Sequence, residues 1–123
     1  MPWDFDRSVP VYLQIAETVR RRIVSGEYER GSQLPSVRDL AVEAAVNPNT
    51  VQRAFMCLEN DGLIETRGTM GRYVTDSLEA VETARETLAR DTVGEFCRRM
   101  EALGYTGEDT IELLKKTYEG ETK

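Results

Sequence analysis

The feature that most constrains this chain is a turn too short for anything but a joint between two helices. Val37, Leu40, Ala41 and Ala44 recur at three- and four-residue steps and give one segment a buried side, and Val51, Ala54, Phe55 and Leu58 do the same for the next. Only Ala45, Val46 and Asn47 lie between them. Both segments carry start signals. Ser36 with Asp39 three residues on has the capping-box spacing, with Asp in place of Glu, and Asn47 before Pro48 sets an N-cap ahead of a proline at the first helical position. Two short helices joined so tightly are the sequence form of a helix-turn-helix.

The flanks complete a larger pattern. Pro10 opens a helix that runs to about Ser25 with Gly26 as its stop, and Tyr12, Ile15, Ala16, Val19 and Ile23 form its apolar stripe. The stretch Glu27 to Leu34 reads as a loop. Beyond Gly62 the period changes from helical to alternating: Leu63 to Thr66 and Arg72 to Thr75 read as strands around the glycine-containing turn Arg67 to Gly71. Three helices and a hairpin describe a winged helix-turn-helix, with the hairpin as wing. After Val74, Asp76 and Ser77 can cap a helix reaching about Leu103. Gly94, at a cost of ~1 kcal/mol, predicts a break or kink near residues 90–94. Gly104 stops this helix, and Thr106 with Asp109 starts another carrying Ile111, Leu114 and Tyr118.

The expected fold is therefore mainly α with a small β-hairpin (α+β), with residues 1–75 a winged helix-turn-helix DNA-binding domain and residues 76–123 a helical dimerisation or effector segment. Leu78, Val81, Leu88, Phe96, Met100, Leu103, Ile111 and Leu114 lie roughly on one side of that segment. A lone helix pair cannot bury both faces of such a stripe, so the exposed side needs either the winged domain or a second copy of the chain. Two helices are expected to enclose no pocket of the ~300 Å³ or more typical of ligand sites, which leaves any small-molecule effector unknown.

Several function classes fall on composition. The 123 residues include no histidine, which removes Ser-His-Asp and Cys-His nucleophile systems and His-ligated zinc. Cys57 and Cys97 stand 40 positions apart inside apolar helical patterns and read, with Met56 and Met100, as core filler. The carboxylates are scattered on polar faces, with no isolated acid–base pair. No enzyme, cofactor or metal is expected. Met1 to Arg7 holds Asp4 and Asp6 and no apolar h-region, and the longest apolar run, Ala54 to Leu58, is far short of the ~20 residues of a membrane span, so a soluble, cytoplasmic protein without a membrane partner is expected.

A net charge of −6 argues at first against a nucleic-acid partner. The charge is unevenly placed, however. Residues 1–75 hold nine arginines and no lysine against ten Asp and Glu, whereas residues 76–123 carry seven basic and twelve acidic side chains. The winged part is near neutral, and its cations are of the type suited to bidentate contacts with guanine and phosphate. Groove reading by such a motif uses the start of its second helix. That start holds Asn47, Pro48, Asn49 and Thr50, with Gln52 and Arg53 one turn on: Asn and Gln pair with adenine, Arg with guanine. Its free backbone amides are expected to suit a phosphate. Ser36 and Arg38 at the start of the preceding helix share this face, and Arg67, Gly68 and Arg72 occupy the wing, where an arginine beside glycine suits a minor groove.

The strings Pro10 to Ile15, Gly31 to Ala41, Val46 to Phe55 and Leu58 to Ile64 closely resemble the N-terminal domain of GntR-family bacterial transcription regulators, over residues ~9–75. The short two-helix tail is similar to the YtrA-like subfamily, in which that part serves dimerisation. The resemblance implies that Arg38, Asn49, Thr50, Arg53, Arg67 and Gly68 fall on positions that touch DNA. Ala45 stands where many members have glycine, which implies a turn needing no left-handed residue. The expected function is a sequence-specific transcriptional repressor that binds double-stranded DNA at an inverted-repeat operator as a homodimer, with a transporter operon as its target. The alternative is a winged-helix module for protein–protein contact without DNA binding.

Overall fold

Five helices and one hairpin follow each other in a computed structural model that describes residues 3–120. The order is α1 (Val11–Val24), α2 (Val37–Ala44), α3 (Pro48–Asn60), β1 (Ile64–Thr66), a 3-10 turn (Gly68–Met70), β2 (Arg72–Val74), α4 (Leu78–Ala102) and α5 (Gly107–Tyr118). The chain divides into two compact units, one running to Glu86 and the other starting at Thr87. In the first, Ile15, Val19 and Ile23 of α1 meet Leu40 of α2, Val51, Phe55 and Leu58 of α3 and Leu63, Ile64 and Val74 of the wing, all nearly inaccessible to solvent. Each such side chain contributes about 1.5–3 kcal/mol relative to leaving it in water. Val81 and Ala84, from the first turns of α4, pack on the same core.

The start signals work as the sequence predicts. The Ser36 hydroxyl accepts from the Asp39 amide at 3.0 Å, Asn47 Oδ1 from the Asn49 amide at 2.8 Å, and Ser77 Oγ from the Ala80 amide at 3.0 Å. The turn between α2 and α3 corrects an expectation. Ala45 has φ 58° and ψ 49°, the left-handed conformation, and the amides of Ala45 and Val46 reach back to the carbonyls of Val42 and Ala41. Helix α3 ends in the same paired arrangement at Gly62, where Gly62 and Leu63 donate to Glu59 and Leu58. The short connection requires a left-handed residue and an alanine bears the strain, because a Cβ in that conformation costs about 1–2 kcal/mol. Ala45→Gly is expected to stabilise the first unit by about 1 kcal/mol, read as a higher urea midpoint in the fluorescence of the chain's single tryptophan, Trp3. A lower midpoint would show that the alanine is unstrained.

The hairpin is antiparallel, with Ile64 opposite Val74 and Thr66 opposite Arg72. The segment expected as plain loop supplies a further edge: Val74 donates to the Ser32 carbonyl and Leu34 to the Arg72 carbonyl, each at 2.8 Å, and Gln33 bridges Tyr73. Gly31, at φ +78°, leads into this edge, and a Cβ there would collide with the Asp76 carboxylate.

Arg22 ties four parts of the unit together. It lies 5.1 Å from the Trp3 ring centroid and 5.6 Å from that of Tyr28, donates to Tyr28 Oη at 2.6 Å and pairs with Glu43 Oε2 at 2.6 Å, an oxygen that also accepts from Trp3 Nε1. The Arg22 hydrogen bond, first among its neighbours, holds the Glu43 carboxyl below its ordinary value of 4.5. The stabilisation is therefore present above that value and is lost as pH falls through the lower folded value. Glu43 is 42% exposed, so screening keeps the effect small. Glu43→Gln is expected to flatten the acid side of the stability–pH curve below about pH 4.5, measured as urea midpoints across that range. An unchanged acid slope would remove Glu43 from the acid response.

The second unit contains the rest of α4 and all of α5. Helix α4 continues through Gly94 without the expected break, since ~1 kcal/mol is within what its many good helix formers absorb. It ends at Gly104 (φ +91°), where the Gly104 and Tyr105 amides donate to Glu101 and Met100. Thr106 Oγ1 then accepts from the Asp109 amide and starts α5. Met100 and Thr110 are the buried residues of this unit among those described, and Thr110 Oγ1 donates to the Thr106 carbonyl at 2.8 Å. Among the described residues no helix is long and apolar enough to cross a membrane.

Candidate nucleic-acid interface

The first turn of α3 lies between two concavities. One, about 350 Å³, is lined by Arg38, Ala41 and Val42 of α2, the turn residues Ala45 to Asn47, and Pro48. The other, about 470 Å³, is lined by Asn49, Thr50 and Arg53 together with Pro10, Val11 and Tyr12 at the start of α1. The turn at Ala45 thus brings Arg38 together with Asn47 and Pro48, and the α1–α3 packing sets Asn49, Thr50 and Arg53 beside α1. Asn49, Gln52, Arg53 and Met56 are exposed at helical spacing on α3, while Val51, Ala54, Phe55 and Leu58 hold its opposite side in the core. The burial of that second stripe orients the first.

The amides at the start of α3 are not free, contrary to expectation. Pro48 has none, the Asn49 amide is taken by Asn47 Oδ1 and the Thr50 amide by the Asn47 carbonyl at 2.9 Å. The proline and the cap that make the helix start legible also use up its donors. Ser36 is exposed, with its hydroxyl committed to the α2 cap.

The arginines of the winged part differ in their partners, and Arg30 donates to the Asp76 carbonyl at 2.9 Å. Arg20, Arg21, Arg22, Arg67 and Arg72 each have a carboxylate within 3.9 Å. Arg7, Arg30, Arg38 and Arg53 are exposed and, among the described residues, pair with no carboxylate, and of these Arg38 and Arg53 flank the start of α3. Instead, the Arg53 guanidinium carbon stands 4.0 Å from the centroid of the Tyr12 ring. In the wing, Arg67 lies over Tyr73 at 4.2 Å and pairs with Glu65 at 2.9 Å and Asp76 at 3.6 Å. Gly68 has φ 56° and opens the turn, leaving Thr69 and Met70 exposed at the tip. Arg72 is turned inward: its guanidinium lies 5.2 Å from the Phe55 ring centroid, Nε is 3.9 Å from Glu59 Oε1, and that nitrogen is buried without a hydrogen-bond partner.

The sequence reading missed two residues. In sequence Tyr12 belongs to the α1 stripe, and only its half-buried position against the start of α3 reveals it as the neighbour of Arg53. Gln33 donates to the Met70 carbonyl at 2.6 Å and so anchors the wing turn. No local signal marks either contact, since each joins residues about 40 positions apart.

The residues expected at a chain–chain contact have several environments. Val81 is spent on the core of the first unit and Met100 on that of the second, because each faces its own unit's interior. Leu78, Phe96, Leu103, Ile111 and Leu114 are exposed, and Leu88 is half-buried. Contrary to expectation, the two helices of the second unit do form a concavity, about 490 Å³, lined by Val93, Phe96, Cys97, Ile111, Leu114 and Tyr118 among others. It is an open groove, because among the described residues only Met100 and Thr110 are buried between α4 and α5.

Residues 11–74 match the gntR family of bacterial regulatory proteins. The chain is similar to an HTH-type transcriptional regulator of Bacillus subtilis, YhcF, with 39% identity over 116 residues that span 94% of this chain and 96% of the relative. It is 40% identical over 70 residues to the HTH-type transcriptional repressor YtrA of the same organism, covering 57% of this chain and 54% of that protein. A GntR family transcriptional regulator from Listeria monocytogenes superposes with a TM-score of 0.83 at 38% identity, over 91% of this chain and 98% of the other.

Proposed function

The chain belongs to the GntR family and is a DNA-binding transcriptional regulator, and from that premise we propose that it is a repressor that binds an inverted-repeat operator as a homodimer. The observation that carries the DNA reading is the pair Arg38 and Arg53, which flank the first turn of α3 and have no carboxylate partner among the described residues, whereas Arg20, Arg21, Arg22, Arg67 and Arg72 each have one. In the proposed complex Asn49, Thr50, Gln52 and Arg53 reach base edges in the major groove, with Arg38 beside them from α2. Ser36, Asn47 and Pro48 approach the backbone. Gly68 brings the wing close to the duplex, and Arg67 exchanges its carboxylates for phosphate. Arg72 supports the wing from within.

The exposed apolar side chains of the second unit support the homodimer, since Val93, Leu103, Ile111 and Tyr118 are each more than half exposed and a contiguous apolar surface favours a partner. A two-fold dimer matches a palindromic site. Repression then follows from occupying DNA that a polymerase needs. The likeness to a protein named as a repressor supports that sign, and the resemblance to the YtrA-like branch points to a transporter operon as the regulated set.

The test is affinity for DNA selected from a random pool, titrated against salt. The logarithm of the binding constant is expected to fall linearly with the logarithm of salt, by about 0.9 per phosphate neutralised, and the full chain to sediment as a dimer. Failure to bind any duplex at low salt would refute the reading.

A further inference from the structure

We propose that Tyr12 is a positioning residue for DNA reading: its ring is a shelf that holds the Arg53 guanidinium in the orientation in which it meets a base. The inference rests on the reading of Arg53 given above and extends it to a residue on another helix.

Three observations converge. The Arg53 guanidinium carbon lies 4.0 Å from the Tyr12 ring centroid, nearer than Arg22, Arg67 or Arg72 approach their rings. The ring is itself fixed, because Tyr12 is half-buried and packs against the core of the first unit. Arg53 is exposed and, among the described residues, has no carboxylate to restrain it. An exposed arginine has large rotamer freedom, most of which must be lost when its planar fork pairs with a guanine edge. A ring held by the core removes part of that freedom beforehand, and the attraction of the cation to the ring face holds it there. The remaining walls of the concavity, Pro10, Val11, Asn49 and Thr50, bring no second cation and no carboxylate to compete for the guanidinium.

A shelf acts through Arg53 and through the ring, and so differs from a direct contact by the Tyr12 hydroxyl. Tyr12→Phe keeps the ring. Tyr12→Leu removes it while leaving an apolar side chain against the core. The experiment measures full-chain affinity for the selected operator, for each of its single base-pair variants and for unrelated duplex, with urea midpoints alongside. The variants are Tyr12→Leu, Tyr12→Phe, Arg53→Ala and the double Tyr12→Leu/Arg53→Ala.

Tyr12→Leu is expected to lose about three- to tenfold in operator affinity, with binding to unrelated duplex unchanged and discrimination weakened at the base pair that Arg53→Ala also relaxes. Tyr12→Phe is expected to match the wild type, and Tyr12→Leu to have no further effect once Arg53 is alanine. Tighter or unchanged binding by Tyr12→Leu overturns the proposal. So does a Tyr12→Phe chain as weak as Tyr12→Leu, which would assign the effect to the hydroxyl, or a Tyr12→Leu effect that persists in the Arg53→Ala background. An Arg53→Ala chain that binds as the wild type does would instead refute the reading of Arg53 itself.

Discussion

Replacing Phe55 by alanine is expected to lower the stability of the first unit by about 3–5 kcal/mol. Phe55 is 1% exposed and among the largest fully buried side chains of the described residues. Its loss removes a large apolar contact from the middle of α3 and leaves a cavity between that helix and its neighbours. A second cost follows at the wing, where the Arg72 guanidinium lies over the ring at 5.2 Å and its Nε has no hydrogen-bond partner. Without the ring, that cation faces a void. For a domain whose whole stability is of order 5–15 kcal/mol, such a loss takes about a fifth or more. Urea unfolding followed by Trp3 fluorescence reports on this unit, since Trp3 packs against its core, and with a slope of about 1–2 kcal/mol per molar the midpoint should fall by roughly 1.5 M or more. A loss below about 1 kcal/mol would show that α3 does not depend on the contact.

Arg38→Ala is expected to act on binding and not on folding. The side chain is exposed and has no carboxylate among the described residues, so truncation should leave the urea midpoint unchanged within about 0.5 kcal/mol. A lost base contact costs about 1–3 kcal/mol, and on an inverted repeat read by two copies the costs add to about 2–6 kcal/mol, because the half-sites are far apart. Operator affinity should therefore fall by roughly 30-fold or more while binding to unrelated duplex falls much less. Equal binding of variant and wild type would remove Arg38 from the interface. A uniform loss on all duplexes, with a shallower salt slope, would make it a phosphate contact.

The helices were legible because their signals are local. Ser36, Asn47, Ser77 and Thr106 cap within three residues, and Gly62 and Gly104 stop helices by their own backbone freedom. The glycine rule also explains one misreading. Alanine at 45 implied a turn without a left-handed residue, yet the connection between α2 and α3 imposes that conformation and the side chain tolerates it. The edge formed by Ser32 to Leu34 was illegible because three residues show no period, and only their hydrogen bonds to β2 define them. Gly94 by itself predicts a break, and the helix continues because the residues around it offset a penalty of ~1 kcal/mol.

The site divides the same way. Asn47, Asn49, Thr50, Gln52 and Arg53 share one helix start, so their common face follows from the helical period. The state of each arginine does not. Arg67 and Arg72 look alike in sequence, and the fold turns one over Tyr73 between two carboxylates and the other onto Phe55.

By itself, then, the sequence determined the order of elements, the tight turn and the stripe that α3 buries, because caps, stops and periodicities act over about four residues and need no partner. Only the tertiary structure decided that Val81 belongs to the winged core, that Tyr12 stands under Arg53, and that Arg38 and Arg53 have no carboxylate where other arginines do. Those facts are distances between residues far apart in the chain, and they come into being when burial of the α1 and α3 stripes brings the segments together.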